Sequence, residues 1–439
     1  MKTLAVSLAE AFLAGPWEVD EMVTRGARVL GKRARWLQGL AQRIYAACAQ
    51  LAYRSRAHIA KLIASDPGFL NACVDGEPEF QNVFWTSPAA MRPAAGAPQN
   101  WKLPEIATPG KLADWLELTP GRLAWFADCQ SRERRLPVGR LRHYRYRWIR
   151  KRHGEARLIE IPKVELKQIQ RRLLDELISR MPPHEAAHGF RTGRSIRTFA
   201  APHVGARVVL RLDLKDFFPA ITRRRVLPVF LTAGYPEGVA RPLAGLCTNA
   251  SPADVWEQFP GAGKPREQWA SESLYAVPHL PQGAPTSPAL ANLCAFRLDC
   301  RLTALARVMG ANYTRYADDL AFSGGDELRR AARRFQIQVM AIALEEGFRI
   351  HARKTRVMPQ SSRQRLAGVI VNRHPNVCRS DFDRLKAILN NCARHGPQSQ
   401  NREGHADFQA HLAGSIAHVA MLNSGRGDKL RRIFERILW

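Results

Sequence analysis

Two adjacent carboxylates, Asp318 and Asp319, sit in Asn312-Tyr-Thr-Arg-Tyr-Ala-Asp-Asp-Leu-Ala-Phe-Ser323, at a bend between two apolar, β-prone runs. Neighbouring aspartates repel one another and avoid strand interiors. Taken alone, an Asp-Asp pair is most simply a hairpin turn, because Asp is a common turn residue. A third aspartate changes that reading. Asp213 ends the strongly β-patterned run Val208-Val-Leu-Arg-Leu-Asp-Leu214. Three carboxylates from neighbouring strands can hold two Mg²⁺ ions about 3.5–4 Å apart, which stabilises both the attacking and the leaving oxygen of an in-line displacement at phosphorus. Mg²⁺ prefers oxygen ligands, keeps few from the protein and completes its shell with water and phosphate. Three carboxylates therefore suffice for phosphoryl transfer, where the protein need only position groups and neutralise charge.

The composition points to a polyanionic partner. The chain has 439 residues, with 67 Lys and Arg against 39 Asp and Glu, a net charge of +28. A field of that sign attracts phosphate backbones. An anionic membrane surface is the competing explanation, but no apolar span approaches the ~20 residues a bilayer needs. The N-terminal run, interrupted by Glu10, reads as an amphipathic helix rather than a signal peptide. None of the eight cysteines forms a Cys-x-x-Cys pair, so neither a zinc site nor a disulfide framework is indicated, and a reducing cytoplasm fits.

The elements that must position the aspartates follow from periodicity. Residues 1–86 read as a helical N-terminal extension, with Trp36-Leu37, Leu40, Ile44, Ala47-Cys48 and Leu51 at helical spacing. Residues 87–110 are rich in Pro, Ala and Gly and read as a linker. Thr108-Pro109 and Thr119-Pro120 each announce a short helix, with Thr as cap and Pro in the first turn. Tyr144, Tyr146 and Trp148 alternate with Arg145, Arg147 and Ile149, a strand with aromatics on one face. His153-Gly154 reads as a turn into a second strand, Arg157–Ile161, making a basic hairpin. A helix is expected over 164–180, a loop-rich excursion over 248–275, and a turn-rich segment at 280–288 opening a helix that runs to about Met309. Another helix is expected over 327–346 and short strands over 348–354 and 366–372. The end of the chain is helical, with Leu430, Ile433, Phe434, Ile437 and Leu438 on one apolar stripe.

Set in order, four strings resemble a known family: His188-Gly-Phe-Arg-Thr-Gly-Arg-Ser-Ile196, Leu212-Asp-Leu-Lys-Asp-Phe-Phe-Pro219, Leu280-Pro-Gln-Gly-Ala-Pro-Thr-Ser-Pro-Ala-Leu-Ala-Asn292 and Tyr313-Thr-Arg-Tyr-Ala-Asp-Asp-Leu320. Together with Lys354, they stand in the order of the reverse transcriptase motifs and are most similar to the bacterial retron type, over roughly residues 110–439. The resemblance implies an α+β, right-hand polymerase with an extra helical N-terminal region: fingers and an antiparallel palm over 111–375, and a helical thumb over 376–439. It implies Asp213, Asp318 and Asp319 as the catalytic triad, with Leu214 joining them in the metal set and Mg²⁺ as cofactor. Phe218 would be the steric gate that excludes a 2′-hydroxyl. Gln282 and Gly283 would contact template and incoming nucleotide, Tyr316 would lie beside the nucleotide or primer end, and Lys354 near the triphosphate. Lys163, Arg191 and Arg194 would contact phosphates. Asp216 is read as a turn residue rather than a metal ligand.

The implied partners are dNTPs, a structured noncoding RNA serving as primer and template, its branched RNA–DNA product (msDNA), and an effector protein in antiphage defence. Two strings depart from the retron pattern. Phe199-Ala-Ala-Pro-His203 lacks the Asn of an Asn-Ala-x-x-His element, and Leu366-Ala-Gly368 stands where Val-Thr-Gly is usual. Both elements are linked to handling of the retron's own RNA, so the departures bear on which RNA is copied. A standalone defence enzyme or a group II intron-type protein is the alternative, and a non-catalytic RNA-binding scaffold is disfavoured by retention of all three aspartates. On the electrostatic reading, RNA binding weakens steeply as salt rises. A binding titration across ionic strength checks this, and a flat response contradicts it.

Overall fold

A computed structural model describes residues 2–49, 56–76, 90–91, 93, 101–150, 156–260 and 265–439. Part of the expected linker at 87–110, Leu51 and the His153-Gly154 turn lie outside the described residues. The chain is α+β and divides into two units, one of 1–129 with 227–245, the other of 130–226 with 246–439.

The first unit begins with five helices, Lys2–Leu13, Val19–Leu30, Arg35–Ala47, Arg56–Ala64 and Pro67–Val74. They close over a core that includes Leu8, Phe12, Met22, Leu37, Leu40, Ile59 and Phe69, all essentially sealed from solvent. Arg25 reaches into this bundle and donates to the carbonyls of Ala11, Phe12 and Pro16, satisfying carbonyls that a helix end leaves open. Both Thr-Pro starts form as the sequence requires. Thr108 Oγ1 accepts from Lys111 N ahead of Pro109–Trp115, and Thr119 Oγ1 accepts from Arg122 N ahead of Pro120–Ala127.

The second unit holds the sheets. β1 (Tyr144–Arg150) and β2 (Ala156–Pro162) pair antiparallel, with Trp148 opposite Leu158. The aromatic face packs inward, Trp148 against Trp256 and Phe259. The main sheet is built on β3 (Val208–Lys215). β5 (Asp319–Gly324) lies along one side of it and β4 (Asn312–Tyr316) lies beyond β5. On the other side β3 takes two short partners, β6 (Arg349–Ile350) at its end and β7 (Arg356–Pro359) at its start. β8 (Arg365–Leu366) and β9 (Val369–Ile370) make a small hairpin. Its turn is Ala367-Gly368, both left-handed, as a tight two-residue hairpin demands. Phe199, Val209, Leu366 and Val369 join Leu389, Leu412, Ile416 and Leu430 of the C-terminal helices in one core.

Several expectations are corrected. The excursion at 248–275 contains a real helix, Pro265–Tyr275, whose weak apolar periodicity hid it. The helix expected from the 280–288 turn to Met309 is two helices, Ser287–Cys294 and Phe296–Val308, broken at Ala295. The strand expected over 348–354 stops at Ile350, and Ala352–Lys354 is a 3₁₀ turn before β7 resumes the pairing. At the chain end Leu438 is 90% exposed and leaves the apolar stripe, because the helix ends at Phe434 and later residues lose its periodicity.

Among the most deeply buried charges in this unit are Arg315 of β4 and Asp299 of the helix Phe296–Val308, both fully buried. Arg315 Nε and Nη2 donate to the two Asp299 oxygens at 2.8 and 2.6 Å, and Tyr313 Oη donates to Asp299 Oδ1 at 2.8 Å. Removing one member of such a pair strands the other charge in the interior, at about 3–5 kcal/mol. Asp299→Ala is therefore expected to lose stability on that scale in urea unfolding, and a loss below about 1 kcal/mol would contradict a keystone role.

Candidate active site

The three aspartates meet where β3, β5 and the β4–β5 turn converge. Asp213 and Asp319 are direct cross-strand partners, so their side chains share one face. Asp318 occupies the two-residue turn Ala317-Asp318, in which Ala317 is left-handed at φ 55°. Leu214 N donates to the Asp318 carbonyl at 2.8 Å, which carries the ladder into the turn. The Leu214 side chain is alkyl and buried, so only its main-chain carbonyl could serve as a ligand.

Like charges directly opposite on a sheet are destabilising, and two bases offset them. Arg211 lies two residues before Asp213 and so on the same face. It makes a forked contact with Asp319, Nε to Oδ1 at 2.9 Å and Nη2 to Oδ1 and Oδ2 at 2.7 and 2.9 Å. Lys354 Nζ lies 3.0 and 3.2 Å from the Asp213 oxygens. The interruption between β6 and β7 explains its placement. His351 N still donates to the Asp213 carbonyl at 2.7 Å, and the 3₁₀ turn that follows swings Lys354 over the Asp213 side chain. Asp318 has no ion-pair partner among the described residues. Burial first, then the charges of Asp213 and Asp319, push its pKa up to about 6. Asp319 is also raised, by burial, with the Arg211 guanidinium pulling back against it.

Among the described residues no group of three or more His, Cys, Asp or Glu stands ready-gathered around a metal position. Two of the three carboxylates face bases instead. The donor chemistry nonetheless fits a hard cation. All ligating atoms would be oxygens, and Asp318 carries a repulsion that a cation would relieve.

Tyr316 is the cross-strand partner of Asp319, and other aromatic rings cluster with it. Phe218 is half-buried, with its ring centroid 5.6 Å from that of the buried Phe217 and 6.0 Å from that of Phe190. Tyr316 packs on Phe199 at 5.7 Å and lies 6.5 Å from Phe190. Asp216, exposed and left-handed at φ 50°, turns the chain after β3, and Ala220 N donates to its carbonyl.

The remaining expected residues are held elsewhere in the same unit. Gln282 and Gly283 attach to β2: the Gln282 carbonyl accepts from Glu160 N at 2.9 Å, and a Cβ on Gly283 (φ 136°) would fall 2.7 Å from the Glu160 carbonyl. Only glycine fits there. Beneath the loop, the fully buried Glu160 accepts from Asn249 and Ser251 and pairs with His279 Nε2 at 2.9 Å. Burial lowers the proton affinity of His279, but the Glu160 charge and hydrogen bond outweigh it, and the net shift is upward. Lys163 Nζ is bound to the carbonyls of Gly139 and Arg140. Arg191 and Arg194 both clasp Glu185, at 2.7 and 2.6 Å. His203 is sealed from solvent between Ser323 Oγ and Thr314 Oγ1, each at 2.7 Å, and burial holds its pKa at about 3. It braces β4 and β5 as a neutral ring and has no surface to offer an RNA.

Sequence reasoning missed Arg211, Arg315, Glu160 and His279. The signal was present for the arginines, since an Arg within a buried apolar strand must have an acidic partner.

Residues 149–371, which include all three aspartates, Phe218, Gln282 and Lys354, match the family described as reverse transcriptase (RNA-dependent DNA polymerase). The chain belongs to the reverse transcriptases. The retron Mx65 reverse transcriptase of Myxococcus xanthus is 42% identical over 334 residues, covering 75% of this chain and 72% of that protein. The retron Mx162 reverse transcriptase of the same organism is 40% identical over 344 residues, covering 74% and 66%. The retron Ec86 reverse transcriptase of Escherichia coli is 29% identical over 249 residues, covering 56% and 69%. The chain is thus a reverse transcriptase of retron type, an RNA-directed DNA polymerase. Among its described residues no helix is long and apolar enough to cross a membrane, and all eight cysteines are free thiols.

The raised Asp318 pKa has a definite sign for stability. An acid whose folded pKa exceeds its unfolded value near 3.9 favours the fold only when protonated. The penalty begins as pH rises above about 4 and is complete above about 6. Asp318→Asn should remove up to ~3 kcal/mol of it. In chelator at pH 7–8 the variant is expected to melt higher than the wild-type reverse transcriptase, with the gain shrinking toward pH 4. An unchanged or lower melting temperature at neutral pH would refute the repulsion argument.

Proposed function

We propose that this reverse transcriptase copies a structured noncoding RNA into DNA by metal-assisted phosphoryl transfer at Asp213, Asp318 and Asp319. The observation that carries the reading is the convergence of three carboxylates, two on the paired strands β3 and β5 and one in the β4–β5 turn, the last without an ion-pair partner among the described residues. Asp213, Asp318, Asp319 and the Leu214 carbonyl would hold divalent metal, Mg²⁺ by its preference for oxygen. Held there, a divalent metal would supply charge neutralisation of the phosphate oxygens, of the primer hydroxylate and of the departing pyrophosphate. Arg211 and Lys354 compete with it for two of the carboxylates. Lys354 is the mobile competitor, half-exposed on a flexible stem. Released from Asp213, it can turn to the triphosphate and give a proton to the leaving pyrophosphate. Arg211 is the fixed one, since its forked contact holds the Asp319 carboxylate in one orientation.

The Phe218 ring is the sugar gate, and Gln282-Gly283 supports the template and incoming nucleotide from β2. Arg191, Arg194 and Lys163 are phosphate contacts, the first two once Glu185 is displaced. In the right-hand description, the β3–β7 sheet is the palm, the β1–β2 hairpin part of the fingers, and the helices after 376 the thumb; residues 1–86 are an extension joined through 87–110. On the resemblance to the retron type, the reading extends to an RNA that both primes and templates, a branched RNA–DNA product, a cytoplasmic setting and a defence role exercised with an effector protein.

Primer extension on an RNA template with Mg²⁺ and dNTPs tests the chemistry. Wild type is expected to extend and Asp318→Asn to fall by about a hundred- to a thousandfold, the scale on which loss of transition-state charge stabilisation acts. Equal extension by the two would overturn the carboxylate assignment. Phe218→Ala is expected to admit ribonucleotides, and unchanged sugar selection would remove Phe218 from the gate.

A further inference from the structure

Phe190 combines two features that folding alone does not favour. Its backbone is left-handed at φ 57°, and its side chain is 49% exposed. For a bulky residue the left-handed region is unfavourable. Half-exposing the ring also forgoes part of the stabilisation that burying a phenylalanine contributes. Strain of this kind persists only where neighbours impose it, and here they do so on several sides. His188 N donates to the Arg315 carbonyl at 2.8 Å. The Gly189 carbonyl accepts from the buried Asn292 at 2.8 Å, and Asn292 is itself held by Arg315 at 2.9 Å. A Cβ on Gly189 would fall 2.6 Å from Ala317 N, so the segment lies directly against the turn that carries Asp318. Everything around residue 190 fixes where its ring goes, and the ring goes into the open between Phe218 and Tyr316.

The geometry points to Phe190 as a specificity-determining residue of the nucleotide pocket: its exposed face contacts the incoming deoxynucleoside, and its other edge supports the Phe218 ring. The ligand class is a nucleoside triphosphate, since the ring cluster runs on from Tyr316, the cross-strand partner of Asp319, and supplies the flat apolar surface that a base and sugar stack against. A rigid ring backing the gate limits how far Phe218 can yield to a 2′-hydroxyl. This inference rests on the proposed placement of the nucleotide at Asp213, Asp318 and Asp319.

Single-nucleotide incorporation on an RNA template, with dNTP and the matching rNTP, separates the roles. Phe190→Gly suits the left-handed backbone and removes the ring, so it is expected to melt at or above the wild-type temperature. It should nevertheless raise the dNTP KM and lower the preference for dNTP over rNTP, each about tenfold, with kcat changed much less. Phe190→Tyr keeps the ring and is expected to behave as wild type. Wild-type KM and sugar preference in Phe190→Gly would overturn the inference, as would a fall in melting temperature with kcat and KM degraded together, which would make the ring structural. Phe218→Ala, measured alongside, reports on the gate separately. If it leaves sugar selection intact while Phe190→Gly raises KM, the gate reading fails and the Phe190 contact stands.

Discussion

The buried pair of Arg315 and Asp299 is the contact on which the rest of the site depends. One guanidinium satisfies Asp299 with a fork, reaches Asn292 Oδ1 and donates to the Ala317 carbonyl inside the aspartate turn. The backbone of the same residue pairs with Ala186 and His188. Two helices, an extended segment and a hairpin turn are therefore referred to a single planar group. A buried ion pair is weak evidence for net stability, because desolvation offsets much of the attraction. Its worth here is geometric. Five fixed donors on a rigid plane leave the Ala317-Asp318 turn little freedom.

That rigidity is needed because the turn holds groups that repel. Asp213 and Asp319 oppose each other across the strands, and Asp318 immediately precedes Asp319. Arg211 answers Asp319 and Lys354 answers Asp213, leaving Asp318 with the residual strain. A chain with a net charge of +28 has no shortage of bases that could have neutralised all three. Pairing every carboxylate firmly would stabilise the apo fold and remove the pull on a metal. Leaving one unpaired, and another held by a half-exposed lysine, is the arrangement expected where stability is exchanged for function.

Much of this was legible in the residues themselves. The aspartates, their strands and the tight turn follow from alternation and turn chemistry, and the two Thr-Pro helix starts from capping rules. What was not legible depends on register or on contacts distant in sequence. Lys354 could be a solvated strand-end lysine until the strand is seen to break at His351 and carry it over Asp213. His203 reads as a polar group near an RNA-handling element, yet it is sealed between Ser323 and Thr314, more than a hundred positions away in sequence. The helix Pro265–Tyr275 was missed because its apolar pattern is weak. Glu160 lies in an alternating strand where an acid should face water; only the arrival of Asn249, Ser251 and His279 from far along the chain makes its burial tolerable.

The two buried ionic centres divide the work differently. Arg315 with Asp299 fixes the aspartate turn. Glu160 with His279 fixes β2 beneath Gln282-Gly283, and its partners come from segments unrelated to the first centre. Each centre lies under a backbone feature that would not hold itself: left-handed Ala317 and Phe190 over the first, and Gly283 at φ 136° over the second. A strained main chain stays in place only if moving it would break something costlier. A hydrogen-bonded charge pair sealed from water meets that condition, because shifting it by an ångström leaves a desolvated charge unsatisfied. An apolar core would flow around the same displacement with far smaller loss. The site is therefore anchored by buried charge as well as by hydrophobic packing, which accounts for the two strictly buried pairs seen among the described residues.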